Sequence, residues 1–205
     1  MNHRERVVRA DVSSEHVVQL FDTAETLSNA VGSFLAEGYL SGETLLVVVS
    51  SAHWSRIKRQ MEDLGCAVEP GISDGRITAM DAAATLDAFT EDGSPDAGKF
   101  DATVGDIVRR LSTRADGRGL RIYGEMVDLL VRDGSFGGAH VLEELWCALS
   151  ERTSLTLFCG YTSAHFGDPR STSRLERICR LHDRVLSDPD DMLGSWLVSE
   201  ARTAS

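Results

Sequence analysis

The residue best placed to do chemistry is Glu125, in the run LRIYGEMVDLLV. It follows directly on the apolar stretch Leu120 to Tyr123 and precedes a helical stripe. In open α/β sheets the carboxyl ends of strands line the ligand crevice, so a carboxylate there can accept hydrogen bonds from a ligand or face a cation. The same position is the first turn of the following helix, where a negative charge complements the dipole with no ligand at all. Position alone leaves both readings standing.

The other reactive side chains are scattered. Histidines 16, 53, 140, 165 and 182 show no HExxH or paired spacing, so no metal site is expected. Ser163 and His165 are close in sequence but lie in no diagnostic frame. No catalytic residue is assigned. His16 opens an apolar run and His182 closes an apolar helical stripe. Each is either a hydrogen-bonded boundary residue or a switchable donor, because imidazole changes charge near neutral pH. Tyr161 ends a strand, and Trp54 and Trp146 lie on helix faces, where core packing is the first reading and the wall of a ligand pocket the second.

A nucleotide hypothesis attaches to the first strand and helix, HVVQLF followed by DTAETLSNA. A phosphate-binding loop needs glycines to present backbone N–H groups and a Lys-Ser/Thr pair for phosphate and Mg²⁺. This stretch has neither glycine nor lysine, and Asp22 and Glu25 would repel phosphate. ATP hydrolysis of that kind is not expected.

The elements that position these residues alternate between strand and helix. His16 to Phe21 is a β-branched run, and Asp22 with Glu25 predicts a helix start. Leu27, Ala30, Val31, Phe34 and Leu35 recur at helical spacing, and TLLVVVS after Gly42 reads as a strand covered on both faces. Ser50 or Ser51 caps a helix carrying Trp54, Ile57, Met61 and Leu64, ended by Gly65. Arg76 to Met80 is a third strand, EDGSPDAGK a loop, and Phe100 to Leu111 a helical stripe. Two helical segments, Met126 to Val131 and Val141 to Leu149, then lead into the strand Leu155 to Tyr161. Ser173 and Glu176 predict a capping box, and Met192 to Val198 an apolar helix that packs on the domain or on a second copy. The pattern is α/β, a three-layer sandwich around a mostly parallel sheet.

Composition narrows the class. The 205 residues are 42% hydrophobic and include four prolines, enough for one sizeable core. With 32 acidic against 21 basic residues the net charge is -11, which argues against nucleic acid or an anionic membrane as partner. Cys66, Cys147, Cys159 and Cys179 lack CxxC spacing and read as buried thiols of a reducing cytoplasm. MNHRERVVRADVSSE has no apolar core and fits neither signal peptide nor anchor.

Taken in order, HVVQLF, GYLSGETLLVVVS, LRIYGEMVDLLV, LEELWCALSERTSLTLFCGY and ICRLHDRVL resemble the MEDS domain, the methanogen/methylotroph dichloromethane-regulator sensory domain, from about His16 to about Leu186. The resemblance implies a RecA-like or KaiC-like core without its phosphate-binding loop. It implies a cytoplasmic, non-enzymatic sensor that perceives a small molecule such as a hydrocarbon derivative. It also implies transmission to a DNA-binding, kinase or anti-sigma-type partner, since 205 residues hold no evident output module. The positions matching the family's polar motifs are His16, Glu125 and His182, with Cys159 and Tyr161 in the strand motif. The ending DPDDMLGSWLVSE departs from the asparagine- and tyrosine-containing ending of some members. The expected ligand set is therefore His16, Glu125 and His182, walled by Trp54, Trp146 and Tyr161, at the carboxyl ends of the strands. The expected organisation is a flexible segment 1–15, a sensory domain 16–187 and a helical tail 188–205, with homodimerisation through the tail as an option. Two rivals remain: a residual nucleotide-binding ATPase-like protein in which Glu125 serves Mg²⁺, and a ligand-free interaction module docking a regulator by its acidic surface.

Overall fold

The computed structural model describes residues 14–167 and 169–186. Of the segment expected over 1–15, all but Ser14 and Glu15 lies outside the described residues, as does the tail 188–205 with the helix expected over Met192 to Val198. The chain runs β1 (Glu15–Phe21), α1 (Ala24–Leu40), β2 (Thr44–Val49), α2 (Ser51–Asp63), α3 (Val68–Ser73), β3 (Ile77–Asp81), α4 (Ala82–Phe89), β4 (Thr90–Glu91), β5 (Ser94–Pro95) and α5 (Ala97–Phe100). A π-helical turn (Asp101–Gly105) leads into α6 (Asp106–Ala115), β6 (Leu120–Gly124), α7 (Met126–Arg132), α8 (Phe136–Ser150), β7 (Thr156–Thr162), a 3₁₀ turn (Ser163–Phe166), α9 (Pro169–Cys179) and β8 (Arg184–Leu186).

Six strands form one sheet in the order β3-β2-β6-β7-β1-β8, and every pairing is parallel. Parallel strands need crossover helices, which cover both faces, and β2 records this as six consecutive buried residues. Leu45 and Val47 turn to one face with Val31, Leu35, Ile57, Met61, Tyr123 and Phe158. Leu46 and Val48 turn to the other with Val18, Leu20, Ile122, Leu157, Phe100 and Trp146. The result is the expected three-layer α/β sandwich.

The strand order sets where a crevice opens. The connection after β2 runs outward to β3 over the face of α2, whereas the connection after β6 runs the opposite way to β7 over the face of α7. Helices leaving adjacent strand ends in opposite directions leave a gap between them, the topological switch point of an open α/β sheet.

Several local expectations shift. Helix α1 is capped by Thr23, not Asp22, because Thr23 and Thr26 bond reciprocally across the first turn. Ser173 lies inside α9, which begins at Pro169, so it does not cap that helix. The stretch expected as a loop contains a hairpin, β4 paired with β5. Asp92 and Gly93 both take positive φ there, 48° and 79°, as a type I′ turn requires.

Candidate functional site

Two buried carboxylates organise the polar interior of the molecule, one at the strand ends and one on a face of the sheet. The first is Glu125, at the end of β6 and 4% exposed. It occupies the N-cap position of α7 but makes no capping bond to that helix. Its backbone N–H donates to Val48 O at 3.1 Å, fixing it against β2. Its side chain reaches across the switch point. Oε1 accepts the Ser50 N–H at 3.2 Å, Oε2 the Ser50 hydroxyl at 3.3 Å, and His53 Nδ1 lies 3.0 and 2.9 Å from the two oxygens. The carboxylate thus sits at the start of α2, where the dipole favours it. Ser50 is the N-cap of α2 as expected, although its hydroxyl serves Glu125 instead of the helix. The hydrogen bond that His53 donates to Glu125 holds the His53 pKa above its ordinary value against the opposing pull of burial.

The rim around Glu125 is acidic. Asp128 accepts the Thr162 N–H at 2.7 Å and the Thr162 hydroxyl at 3.0 Å, tying α7 to the end of β7, and His165 Nε2 lies 3.8 Å from it. Ser163 donates to Asp22 at the end of β1. Asp22, Glu125 and Asp128 therefore line strand ends where a phosphate-binding protein presents glycine N–H groups. Such a rim suits a ligand that donates hydrogen bonds or carries positive charge.

The second carboxylate is Glu143, on α8 and fully inaccessible. Tyr161 donates to its Oε1 at 2.6 Å. Its Oε2 receives the Cys159 thiol at 3.4 Å and lies 3.3 Å from His16 Nε2 and 3.5 Å from His182 Nε2. The two imidazoles stack with centroids 3.9 Å apart, and His16 Nε2 is 3.3 Å from Cys159 Sγ. Burial pushes the Glu143 carboxyl up, but the neighbouring His182 and His16 imidazoles outweigh it and hold the group well below its usual range. Burial and the same carboxylate push the Cys159 thiol and the Tyr161 phenol well up. Burial lowers and Glu143 raises His182, with a net rise. Cys147, whose Sγ lies 3.6 Å from His16 Nδ1, is pushed up to about 11 by burial and then by Glu143.

Register explains the gathering. His16 pairs with Leu157 and Val18 with Cys159, so His16, Cys159 and Tyr161 point to one face of the β1–β7 pair, under α8. His182 arrives from the turn between α9 and β8. It is seated by Asp183, whose N–H donates to His16 O at 2.8 Å and whose Oδ2 accepts the His16 N–H at 2.7 Å.

The expected ligand set is thus divided. His16, Tyr161 and His182 meet at Glu143, while Glu125 stands apart with Ser50 and His53. Trp54 is part-buried on α2, one residue past His53, with the Lys58 ammonium 5.9 Å from its ring. Trp146 is 1% exposed and packs edge-on against Phe100 at 5.3 Å, inside the core. No sequence motif marks Glu143, yet a signal for it exists. It falls among Ala139, Leu142, Trp146 and Leu149 on the buried side of α8, and a carboxylate in an apolar stripe requires partners.

Fold and site together define an α/β domain with two internal polar centres and no phosphate-binding loop at its first turn. A family model described as MEDS, MEthanogen/methylotroph, DcmR Sensory domain, matches residues 15–183, a span that includes both His16 and His182. The chain belongs to this family of sensory domains, and its role is sensory or regulatory. No curated protein matches the chain. Among the described residues no helix is long and apolar enough to cross a membrane.

Proposed function

We propose that this domain is a non-enzymatic sensor that takes a small ligand at the switch point of its sheet and passes its state to a regulatory protein partner. The observation that carries this reading is the bridge from Glu125, after β6, to Ser50 and His53, after β2. It spans β2 and β6, adjacent strands whose connections diverge from one another, where open α/β sheets bind ligands. His53, with a side chain 29% exposed, gives that carboxylate an outlet to solvent. The acidic rim favours a ligand with amine, amide or hydroxyl donors over a nucleotide, and binding would redistribute the Glu125 contacts between α2 and α7. Motion of those two helices, which lie on opposite faces, is the transmitted signal.

The test is extraction of freshly purified wild-type and Glu125→Gln protein under denaturing conditions, followed by mass spectrometry of the released small molecules. A compound recovered in stoichiometric amount from wild type and lost from the variant supports the reading. A compound recovered equally from both, or Mg²⁺-dependent ATP turnover abolished by the same substitution, overturns it.

A further inference from the structure

The cluster around Glu143 brings four metal-ligating side chains together. We propose that His16 Nε2, Glu143 Oε2, Cys159 Sγ and His182 Nε2 bind a single divalent transition-metal ion of the zinc class in a closed, four-coordinate site. The inference is independent of the ligand reading at Glu125.

Geometry carries it. Zinc bonds of about 2.0–2.3 Å at tetrahedral angles set neighbouring donor atoms about 3.3–3.8 Å apart. Four of the six donor-to-donor edges fall at 3.3, 3.3, 3.4 and 3.5 Å, and all four donor atoms lie within 4.8 Å of one another. The site would close completely with small movements of His182 alone, since three of these edges join His16, Glu143 and Cys159.

His182 supplies a second observation. Its side chain is fully buried, and its Nε2, though 3.5 Å from Glu143, makes no hydrogen bond. Its other nitrogen, Nδ1, is 2.9 Å from Ile178 O. A ring that donates from Nδ1 to a carbonyl carries its lone pair on Nε2, the arrangement that orients metal-bound histidines. The remaining surroundings are of the same kind. Tyr161 occupies Oε1 of Glu143 and leaves Oε2 facing the cluster. Cys147 donates to Leu181 O at 3.3 Å and leaves its sulfur to accept from His16 Nδ1, which turns the His16 Nε2 lone pair inward.

Donor chemistry selects the ion. Nitrogen and sulfur ligands disfavour Ca²⁺ and Mg²⁺, and a mixed imidazole, thiolate and carboxylate set suits zinc. Two neutral imidazoles, one thiolate and one carboxylate carry two negative charges, so a divalent ion leaves the buried site neutral, with the thiol proton released on binding. Four protein donors leave no open position for a substrate water, which marks the site as structural or regulatory. Its effect is to tie β1, β7, α8 and the α9–β8 turn to one atom.

The test uses the full chain, purified without chelator from zinc-supplemented culture and analysed for metal by plasma mass spectrometry, then stripped and titrated with Co²⁺. The expected result is about one zinc per chain. Visible d–d bands and a near-ultraviolet thiolate-to-cobalt band should saturate at one equivalent. Cys159→Ser should abolish the near-ultraviolet band, Tyr161→Phe should weaken Co²⁺ binding about 10–100-fold, and His140→Ala should change neither. Circular dichroism of each variant separates lost binding from lost folding, and the wild-type titration stands without any variant. Absence of both zinc and a cobalt spectrum in the wild type overturns the proposal. So does a cobalt spectrum that survives Cys159→Ser and His182→Ala, which would place the ion elsewhere on the surface.

Discussion

Glu125 and Glu143 are both carboxylates withdrawn from water, at 4% and 0% exposure, yet they live in different parts of the sheet and keep different company. Glu125 hangs at the strand ends, held by one helix N-terminus, one hydroxyl and a histidine that still touches solvent. Glu143 lies against the sheet face, held by two histidines, a thiol and a phenol that are all buried. The lesson is one of location. A strand end opens where helices part, so its polar groups can exchange partners with a ligand. A sheet face is sealed by packed helices, so its polar groups must satisfy one another or share an ion.

The difference is widest in stability. Removing one partner of a buried charge cluster costs about 3–5 kcal/mol, because the others are left unpaired away from water. Glu143→Ala is expected in that range by denaturant unfolding. Glu125→Ala removes a group at a helix start that water can replace, and should cost about 0.5–2 kcal/mol. Equal losses would mean that the strand-end centre is as sealed as the other.

A finer comparison uses single hydrogen bonds. Tyr161→Phe deletes a bond to an ionised, buried carboxylate and should cost about 1.5–3 kcal/mol. Ser50→Ala deletes longer bonds, 3.3 and 3.5 Å, at the other carboxylate and should cost less than about 1 kcal/mol. Thermal melts of the pair in one buffer decide it, and the reverse ranking would break the contrast.

The smallest effect is a titration. The raised pKa of His53 means that its protonated form is favoured in the folded state. The stability it contributes is therefore full below its unfolded value of about 6.5 and is lost as pH rises through the higher folded value. Nuclear magnetic resonance of the His53 ring should show a midpoint above the ordinary value in wild type. Glu125→Gln should bring it down. A midpoint unmoved by Glu125→Gln would mean that the pair is not coupled.

Much of this architecture is legible in the chain. The run LLVVV announces a strand covered on both faces because burial on both sides leaves no polar position in it. Glu125 is legible because strand and acid are contiguous. Its partners are not, since His53 lies 72 residues away and only the neighbouring of β2 and β6 brings it near. His16 and Cys159 are 143 residues apart and meet through the β1–β7 register. No local spacing encodes such a cluster. The hairpin at Asp92-Gly93 was within reach, as two residues tolerant of positive φ between short extended pairs, but its strands of two residues are too short to show a period.

The most direct measurement is native mass spectrometry of wild type, Glu125→Gln and Glu143→Gln under conditions that preserve both organic and metal adducts. Two separate centres predict that Glu125→Gln sheds the organic mass and keeps the metal, while Glu143→Gln sheds the metal and keeps the organic mass. Loss of both adducts in either variant would contradict the account by showing one site, and an organic mass that survives Glu125→Gln would remove the strand-end carboxylate from ligand sensing.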